Sequence, residues 1–338
     1  MSVPTLVSFA VAVALLAFLT TRFSIDLGAT WQIIRHSNPL LYALALATNY
    51  TTFLFRGARW RLLLKNAATD KAAPLPTLGA AARLMLMGWF VSSVTWFRLG
   101  DFYRVYAYSE ESGAPVVRGA GTVLAERVMD LILVFLLLLA GFLFLYADST
   151  SRPSTTFLVV GLALALLAGV VLAAMVIFRK SVSHLLPQRL RETYQSFHEG
   201  TMRSFRTLPL VSLLGLLGWL SEVGRLFFVV QATGLHVSLG LVVFVTIANA
   251  LLTAVPLSPG GLGIVEAGIT GFLMLVLPRE SAVSITLLDR SISYGSVVVL
   301  GGAAFLYHQR QVVRRASSLS TQRHPPIAKD ESRRSADA

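Results

Sequence analysis

Apolar runs of about 20 residues, each long enough to cross a hydrocarbon core of ~30 Å, recur along most of this chain and set the terms on which it can fold. Of its 338 residues, 55% are hydrophobic and only 14% charged, and the mean hydropathy is +0.68. A soluble domain, with about a quarter of its residues charged, has enough polar surface to cover its core; this chain does not. The bilayer is therefore its solvent, and every backbone N–H and C=O at membrane depth has to be satisfied inside the protein. The first run, Val3 to Thr20, has no Lys or Arg before it and no small-x-small cleavage site before Arg22, so it reads as a retained helix.

There are no cysteines, which excludes disulfides, thiolate metal sites and cysteine nucleophiles together. The six histidines (His36, His184, His198, His236, His308, His324) lie in or beside loops without metal-ligand spacing and read as solvated. No metal or cofactor is called for. The net charge of +12 does not point to nucleic acid, because 18 of the 29 Lys and Arg fall in three clusters beside apolar spans: five from Arg56 to Lys71, six from Arg179 to Arg206 and seven from Arg310 to Arg334. Such clusters mark anionic headgroups and the cytoplasmic face.

The apolar segments run roughly 3–21, 39–55, 77–97, 121–146, 156–178, 208–231, 238–256, 264–277 and 284–307. Nine crossings would put the basic segments 56–71 and 179–206 on opposite faces, against the positive-inside rule. One of the three segments between them must fail to cross. Segment 77–97 ends at Gly100-Asp101 and runs into Phe102–Val117, partly amphipathic and broken at Gly113 and Pro115, so it reads as a re-entrant hairpin. In the second half, Pro256-Leu257-Ser258-Pro259-Gly260-Gly261-Leu262-Gly263 cannot be a continuous helix, and the segment after it is short for a full span. A second hairpin entering from the other face follows.

The expected fold is all-α: one polytopic membrane domain over 1–308, with about six full spans and two oppositely oriented re-entrant helical hairpins. The halves, near 39–146 and 208–307, form an inverted repeat, and residues 309–338 a basic, disordered cytoplasmic tail. A weak internal match accompanies this: Leu99-Gly100-Asp101 lies 25 residues before Glu126-Arg127, and Leu262-Gly263 with Glu266 lies 23 before Asp289-Arg290. Inverted repeats whose broken helices meet near the midplane are typical of secondary transporters.

An ionised side chain in hydrocarbon costs on the order of 2.5–3.5 kcal/mol even on mild insertion scales. This chain carries several at membrane depth: Arg83, Arg98, Asp101 and Arg104 around the first hairpin, then Glu126, Arg127 and Asp130, Glu222 and Arg225, Glu266, and Asp289 with Arg290. They must pair or line a polar cavity. Glu126 and Asp130 share one helix face and need an arginine from elsewhere, for which Arg98, Arg104 and Arg290 are available; Glu222 and Arg225, three apart, can pair on their own helix. Arginine forks suit phosphate oxygens, and the helix opening at Ile264 after Gly260, Gly261 and Gly263 offers backbone N–H groups to an anion.

The stretches Gly100-Asp101-Phe102-Tyr103-Arg104, Val123-Leu124-Ala125-Glu126-Arg127-Val128-Met129-Asp130 and Pro256-Leu257-Ser258-Pro259-Gly260-Gly261-Leu262-Gly263-Ile264-Val265-Glu266 together resemble the transmembrane, flippase-like domain of the lysylphosphatidylglycerol synthase family. The likeness extends from about residue 5 to 310. Where that family usually reads Gly-Glu before an arginine, this sequence reads Gly-Asp with Arg104. The resemblance implies translocation of a modified or isoprenoid-linked lipid, with Asp101, Arg104, Glu126, Arg127, Asp130, Glu266 and Arg290 as candidate site residues. The family's lipid-modifying members carry a soluble aminoacyltransferase domain after the membrane part; here a polar, basic tail follows, and lysyl-lipid synthesis is not expected.

The leading expectation is a flippase or scramblase, not an enzyme. It would bind an anionic or aminoacylated phospholipid, or an isoprenoid-linked lipid, through Arg98, Asp101, Arg104, Glu126, Arg127, Asp130, Gly260, Gly261, Gly263, Glu266 and Arg290. It would sit in the plasma (inner) membrane with both termini cytoplasmic. No P-loop signature is present in the sequence, so a drive would come from a gradient or an ion. Two other readings stand beside it: an intramembrane polyprenyl-phosphate transferase, for which no Asp-Asp-x-x-Asp motif appears, and a non-transporting membrane partner protein.

Overall fold

The computed structural model describes residues 26–67, 74–95, 99–147, 207–254 and 258–323, with helical backbone at 159, 163, 166 and 170. The first run at 3–21, the rest of the run at 156–178, the basic segment 179–206, Arg98, Pro256-Leu257 and the tail beyond Arg323 lie outside the described residues.

Helix is the regular structure throughout the described residues: α1 Leu27–Arg35, α2 Pro39–Ala67, α3 Leu78–Val94, α4 Gly100–Ser112, α5 Val116–Ala147, α6 Leu208–Ala232, α7 Leu239–Ala254, α8 Ile264–Leu273, α9 Arg279–Arg290 and α10 Val297–Arg323. A π-helical segment, Ser291–Ser296, joins α9 to α10 as one rod. The starts follow from local chemistry. Asn38 Oδ1 accepts from the N–H groups of Leu40 and Leu41 ahead of α2, and the Thr77 hydroxyl accepts from the Ala80 N–H at the start of α3. At the other end of the first hairpin, α4 stops at Gly113 in the left-handed region, with Pro115 just beyond.

Among the described residues, α6 and the rod Arg279–Val312 are both long and apolar enough to cross a membrane. Helices α2 and α5, 29 and 32 residues, reach ~44 and ~48 Å at 1.5 Å per residue, but they carry buried charges along the way. In contrast α4 has 13 residues and α8 only 10, about 20 and 15 Å. Each packs back against the helix before it, α4 on α3 and α8 on α7, as a helical hairpin.

Two glycines close the first hairpin. A Cβ on Gly100 would sit 1.7 Å from the Gly88 carbonyl oxygen, and one on Gly88 would sit 2.9 Å from that of Gly100, so the two backbones touch where no side chain fits. The hairpin ends meet at Gly260, which has φ +60 and whose missing Cβ would press on the Tyr294 ring and the Ser93 carbonyl. The Tyr294 hydroxyl, from the π segment, donates to the same Ser93 carbonyl at 3.4 Å.

Helices α2 and α6 run antiparallel along their whole length. Contacts step in opposite directions: Asn38 with Ala232, Thr48 with Gly224, Thr51 with Ser221, Arg56 with Gly218 and Arg59 with Gly215, and Asn66 with Thr207. One apolar cluster, including Val223, Leu226, Phe244, Ile247, Ile269 and Ile285, consolidates the second half. Another, with Phe53, Trp60, Leu84, Met87 and Tyr108, consolidates the first.

Several sequence boundaries shift. The apolar run 39–55 is the first part of a helix reaching Ala67, and the segment expected at 284–307 begins at Arg279. The tail expected to be disordered from 309 starts as helix, since α10 continues to Arg323. Nor is His308 solvated: it lies buried in α10 with its Nδ1 3.2 Å from Glu111 Oε1.

Candidate functional site

Three helices bring six charged groups of the first half into a closed ring of alternating sign. Asp101 and Arg104 stand on α4, Glu126, Arg127 and Asp130 on α5, and Arg59 on α2. Starting at Asp101, Oδ1 lies 3.3 Å from Arg104 Nη2, which lies 3.0 Å from Glu126 Oε2. Glu126 Oε1 lies 3.0 Å from Arg59 Nη2, and Arg59 Nη1 is 2.6 Å from Asp130 Oδ1. Asp130 Oδ2 then meets Arg127 Nη1 at 3.5 Å, and Arg127 Nη2 returns to Asp101 Oδ2 at 2.7 Å. Arg56, on α2, extends the network from Asp130, at 3.4 Å, to Glu222 on α6, at 2.6 Å. Four arginines thus face four carboxylates, which is what allows them to be buried at all.

The ring is not uniformly sealed. The side chains of Arg59, Arg104 and Glu126 are at most 2% exposed, whereas Arg127 is 36% and Asp101 26% exposed. Its one open edge is therefore the Arg127–Asp101 pair, a two-point fork in which Nε and Nη2 each donate to the carboxylate, at 2.9 and 2.8 Å. On the closed side, the Arg104 guanidinium stacks on Trp60 at 5.1 Å. Its 3.0 Å approach to Glu126 Oε2 is an ionic contact and not an aligned hydrogen bond, leaving that buried oxygen without a donor.

A second, smaller set of ion pairs lies in the second half. Arg290, in α9, donates to Glu266 Oε1 at 2.6 Å and to the Gly260 carbonyl at 3.2 Å, and its guanidinium stacks on Tyr294. Glu266 in turn accepts from the Gly263 N–H at 2.6 Å, so its own carboxylate occupies the start of α8. Arg225, in α6, pairs with Asp289 at 2.8 Å and donates to Asn49 Oδ1. In each half, an arginine on the longer helix holds the acid at the hairpin break, Arg127 with Asp101 and Arg290 with Glu266, and a buried arginine from α2 or α6 holds the acid just before that arginine, Arg59 with Glu126 and Arg225 with Asp289.

Sequence reasoning brought Asp101, Arg104, Glu126, Arg127 and Asp130 to one place, and the structure joins them. It separates Glu266 and Arg290 into a second cluster, so Arg290 does not serve the Glu126–Asp130 face. The backbone N–H groups expected to await an anion at Gly260, Gly261 and Gly263 are partly engaged, Gly263 by Glu266 and Gly261 by the Ser258 carbonyl. Glu222 and Arg225 do not pair with each other: packing of α6 against α2 turns Glu222 to Arg56, while Arg225 faces Asp289. Two members were missed altogether. Arg56 and Arg59 sit where a basic cluster follows an apolar run and so read as headgroup charges, yet both are at most 6% exposed in their side chains. The available signal was the pair of acids at 126 and 130, which needed more positive charge than α4 supplies.

The sequence pattern described as the lysylphosphatidylglycerol synthase TM region matches residues 5–301 of this chain. The chain belongs to that family. Relatives within reach are UPF0104 membrane proteins. One from Methanocaldococcus jannaschii is 28% identical over 227 residues, 67% of this chain and 97% of the relative. Another, from Methanothermobacter thermautotrophicus, is 25% identical over 310 residues, covering 83% and 89%. A third, from Pyrococcus horikoshii, is 24% identical over 316 residues, covering 84% and 92%. Membership makes this an integral membrane protein, and the ion ring is buried between its helices.

Proposed function

We propose that this protein moves a phosphate-bearing lipid headgroup between leaflets, as a flippase or scramblase. The observation that carries the reading is the ion ring with a single open edge. A charge-balanced network whose most accessible arginine is held by an exposed carboxylate can exchange that carboxylate for a phosphate, with Asp101 keeping Arg104 at 3.3 Å as its counter-ion. Asp101 keeps Arg127 compensated when the site is empty. A headgroup phosphate takes its place on the Arg127 fork.

In this reading the α3–α4 and α7–α8 hairpins are re-entrant and oppositely directed, about six helices span the bilayer, and the halves form an inverted repeat. Three things support it: the short second arm of each hairpin, the antiparallel packing of α2 on α6 and the matched ion pairs of the two halves. The difference between halves has a mechanical meaning. Arg127–Asp101 is open while Arg290–Glu266, 12% exposed on each side chain, is closed, as expected of a carrier caught with one face accessible. Both termini lie on the cytoplasmic side of the plasma membrane, and substrates are anionic, aminoacylated or isoprenoid-linked lipids.

The test is reconstitution into liposomes carrying fluorescent phosphatidylglycerol, with leaflet exchange followed by quenching from outside. Wild type exchanges the lipid and Arg127→Ala does not. Equal exchange in wild type, Arg127→Ala and protein-free liposomes would sink the reading.

A further inference from the structure

A groove of 360 Å³ lies between α2 and α3, and none of the ion-ring residues lines it. Its α2 wall includes Ala47, Tyr50 and Leu54, and its α3 wall is Ala82, Arg83 and Leu86. At one end the helices touch: a Cβ on Gly57 would lie 2.8 Å from the Ala82 backbone nitrogen. From that closed end to Ala47 the groove follows ten residues of α2, ~15 Å at 1.5 Å per residue. This is half of a ~30 Å hydrocarbon core, the depth of one leaflet. Ala47 and Leu54 are exposed, so in an integral membrane protein the groove opens onto lipid.

Arg83 sits at the closed end, on the side of the α2–α3 connection. Its Nη2 donates to Glu111 Oε1 at 2.6 Å, and the same oxygen meets His308, so the guanidinium is anchored from one side. Its Nε is buried, so the 29% of the side chain that is exposed belongs to the rest of Arg83, which lines the groove. A partly exposed guanidinium anchored on one side by a carboxylate, at the head of an apolar channel one leaflet deep, suits an anionic headgroup with a hydrocarbon chain.

We infer that this groove is a lipid-binding site separate from the ion ring, taking one hydrocarbon chain of a resident phospholipid along α2 and α3 and its phosphate on Arg83. The guest is a structural lipid of the leaflet on the side of the α2–α3 connection. Its site depends only on the protein lying in a bilayer and not on the transport reading. By tying α3 to α4 and α10 through Arg83, Glu111 and His308, it also fixes the base of the first hairpin.

The experiment uses the full chain in nanodiscs made from equal parts phosphatidylglycerol and a neutral glycosyl diacylglycerol, with bound lipid read by native mass spectrometry after release into detergent. Wild type retains phosphatidylglycerol over the glycolipid. Arg83→Gln, which removes the charge, lowers its occupancy about tenfold, the size of one hydrogen bond to a charged group, and Ala47→Trp, which fills the open end from an exposed position, lowers it as well. Arg127→Ala loses lipid exchange but keeps this lipid. The inference is overturned by equal retention in wild type, Arg83→Gln and Ala47→Trp, by retention of the glycolipid as readily, by loss of the lipid in Arg127→Ala, or by a lipid-free dimer that shows a second copy filling the groove.

Discussion

Arg56 on α2 and Glu222 on α6 meet at 2.6 Å, each three residues before a buried arginine, Arg59 or Arg225. The two neutralise each other across the antiparallel pair of helices α2 and α6. Arg56 is further enclosed by Trp219 at 4.7 Å and Trp89 at 5.6 Å.

Removing Glu222 leaves Arg56 with its longer contact to Asp130 alone. Glu222→Gln is expected to cost less than the ~3–5 kcal/mol of a buried charge left wholly unpaired. The double variant Arg56→Gln with Glu222→Gln recovers part of this. The charge swap, Arg56→Glu with Glu222→Arg, does not, because the new glutamate would face Asp130. Thermal unfolding in detergent, compared across the variants, checks the order.

Burial ranks the ring arginines. Arg59 is 0% exposed in its side chain and serves both Glu126 and Asp130, so Arg59→Gln is expected to destabilise by several kcal/mol, again as a buried pair broken from one side. Arg127→Gln, at the open edge, should cost nearer ~1 kcal/mol, as exposed pairs do. A melting temperature lowered equally by both would contradict the assignment of an open edge.

The first hairpin depends on a backbone contact. Gly100→Ala puts a methyl group against the Gly88 carbonyl and is expected to destabilise by at least the ~1–3 kcal/mol of ordinary overpacking. Gly271→Ala, where an added Cβ meets nothing within 4 Å, serves as the control and should melt like wild type or slightly above it. Parallel thermal scans of the two variants decide this.

The hairpin breaks were legible because glycine and proline leave few options, so Gly113, Pro259 and Gly260 marked ends and turns before any helix packed. Asp101 and Arg127 were legible as members of one charged cluster because charge beside apolar spans demands a partner. What escaped was partner choice. An i, i+3 pair such as Glu222 and Arg225 is a local option, but burial lets the facing helix decide, and α2 and α9 outbid it with Arg56 and Asp289. Arg56 and Arg59 escaped for a related reason, since an arginine ending an apolar run looks the same whether it reaches water or a ring of carboxylates.

Asp101 holds the open edge shut, so Asp101→Asn should leave Arg127 without its fork partner and raise affinity for anionic headgroups while slowing release. Binding of short-chain phosphatidylglycerol to the detergent-solubilised protein, measured by isothermal titration, is expected to tighten in Asp101→Asn and to be lost in Arg127→Ala.

The most direct measurement is leaflet exchange of two lipids bearing the same fluorophore, phosphatidylglycerol and a neutral glycosyl diacylglycerol, in liposomes containing wild type, Arg127→Ala or no protein. A headgroup site built on Arg127 exchanges phosphatidylglycerol faster than the glycolipid, and Arg127→Ala reduces that rate to the protein-free level. Exchange that is the same for both lipids, or unaffected by the loss of Arg127, would contradict it.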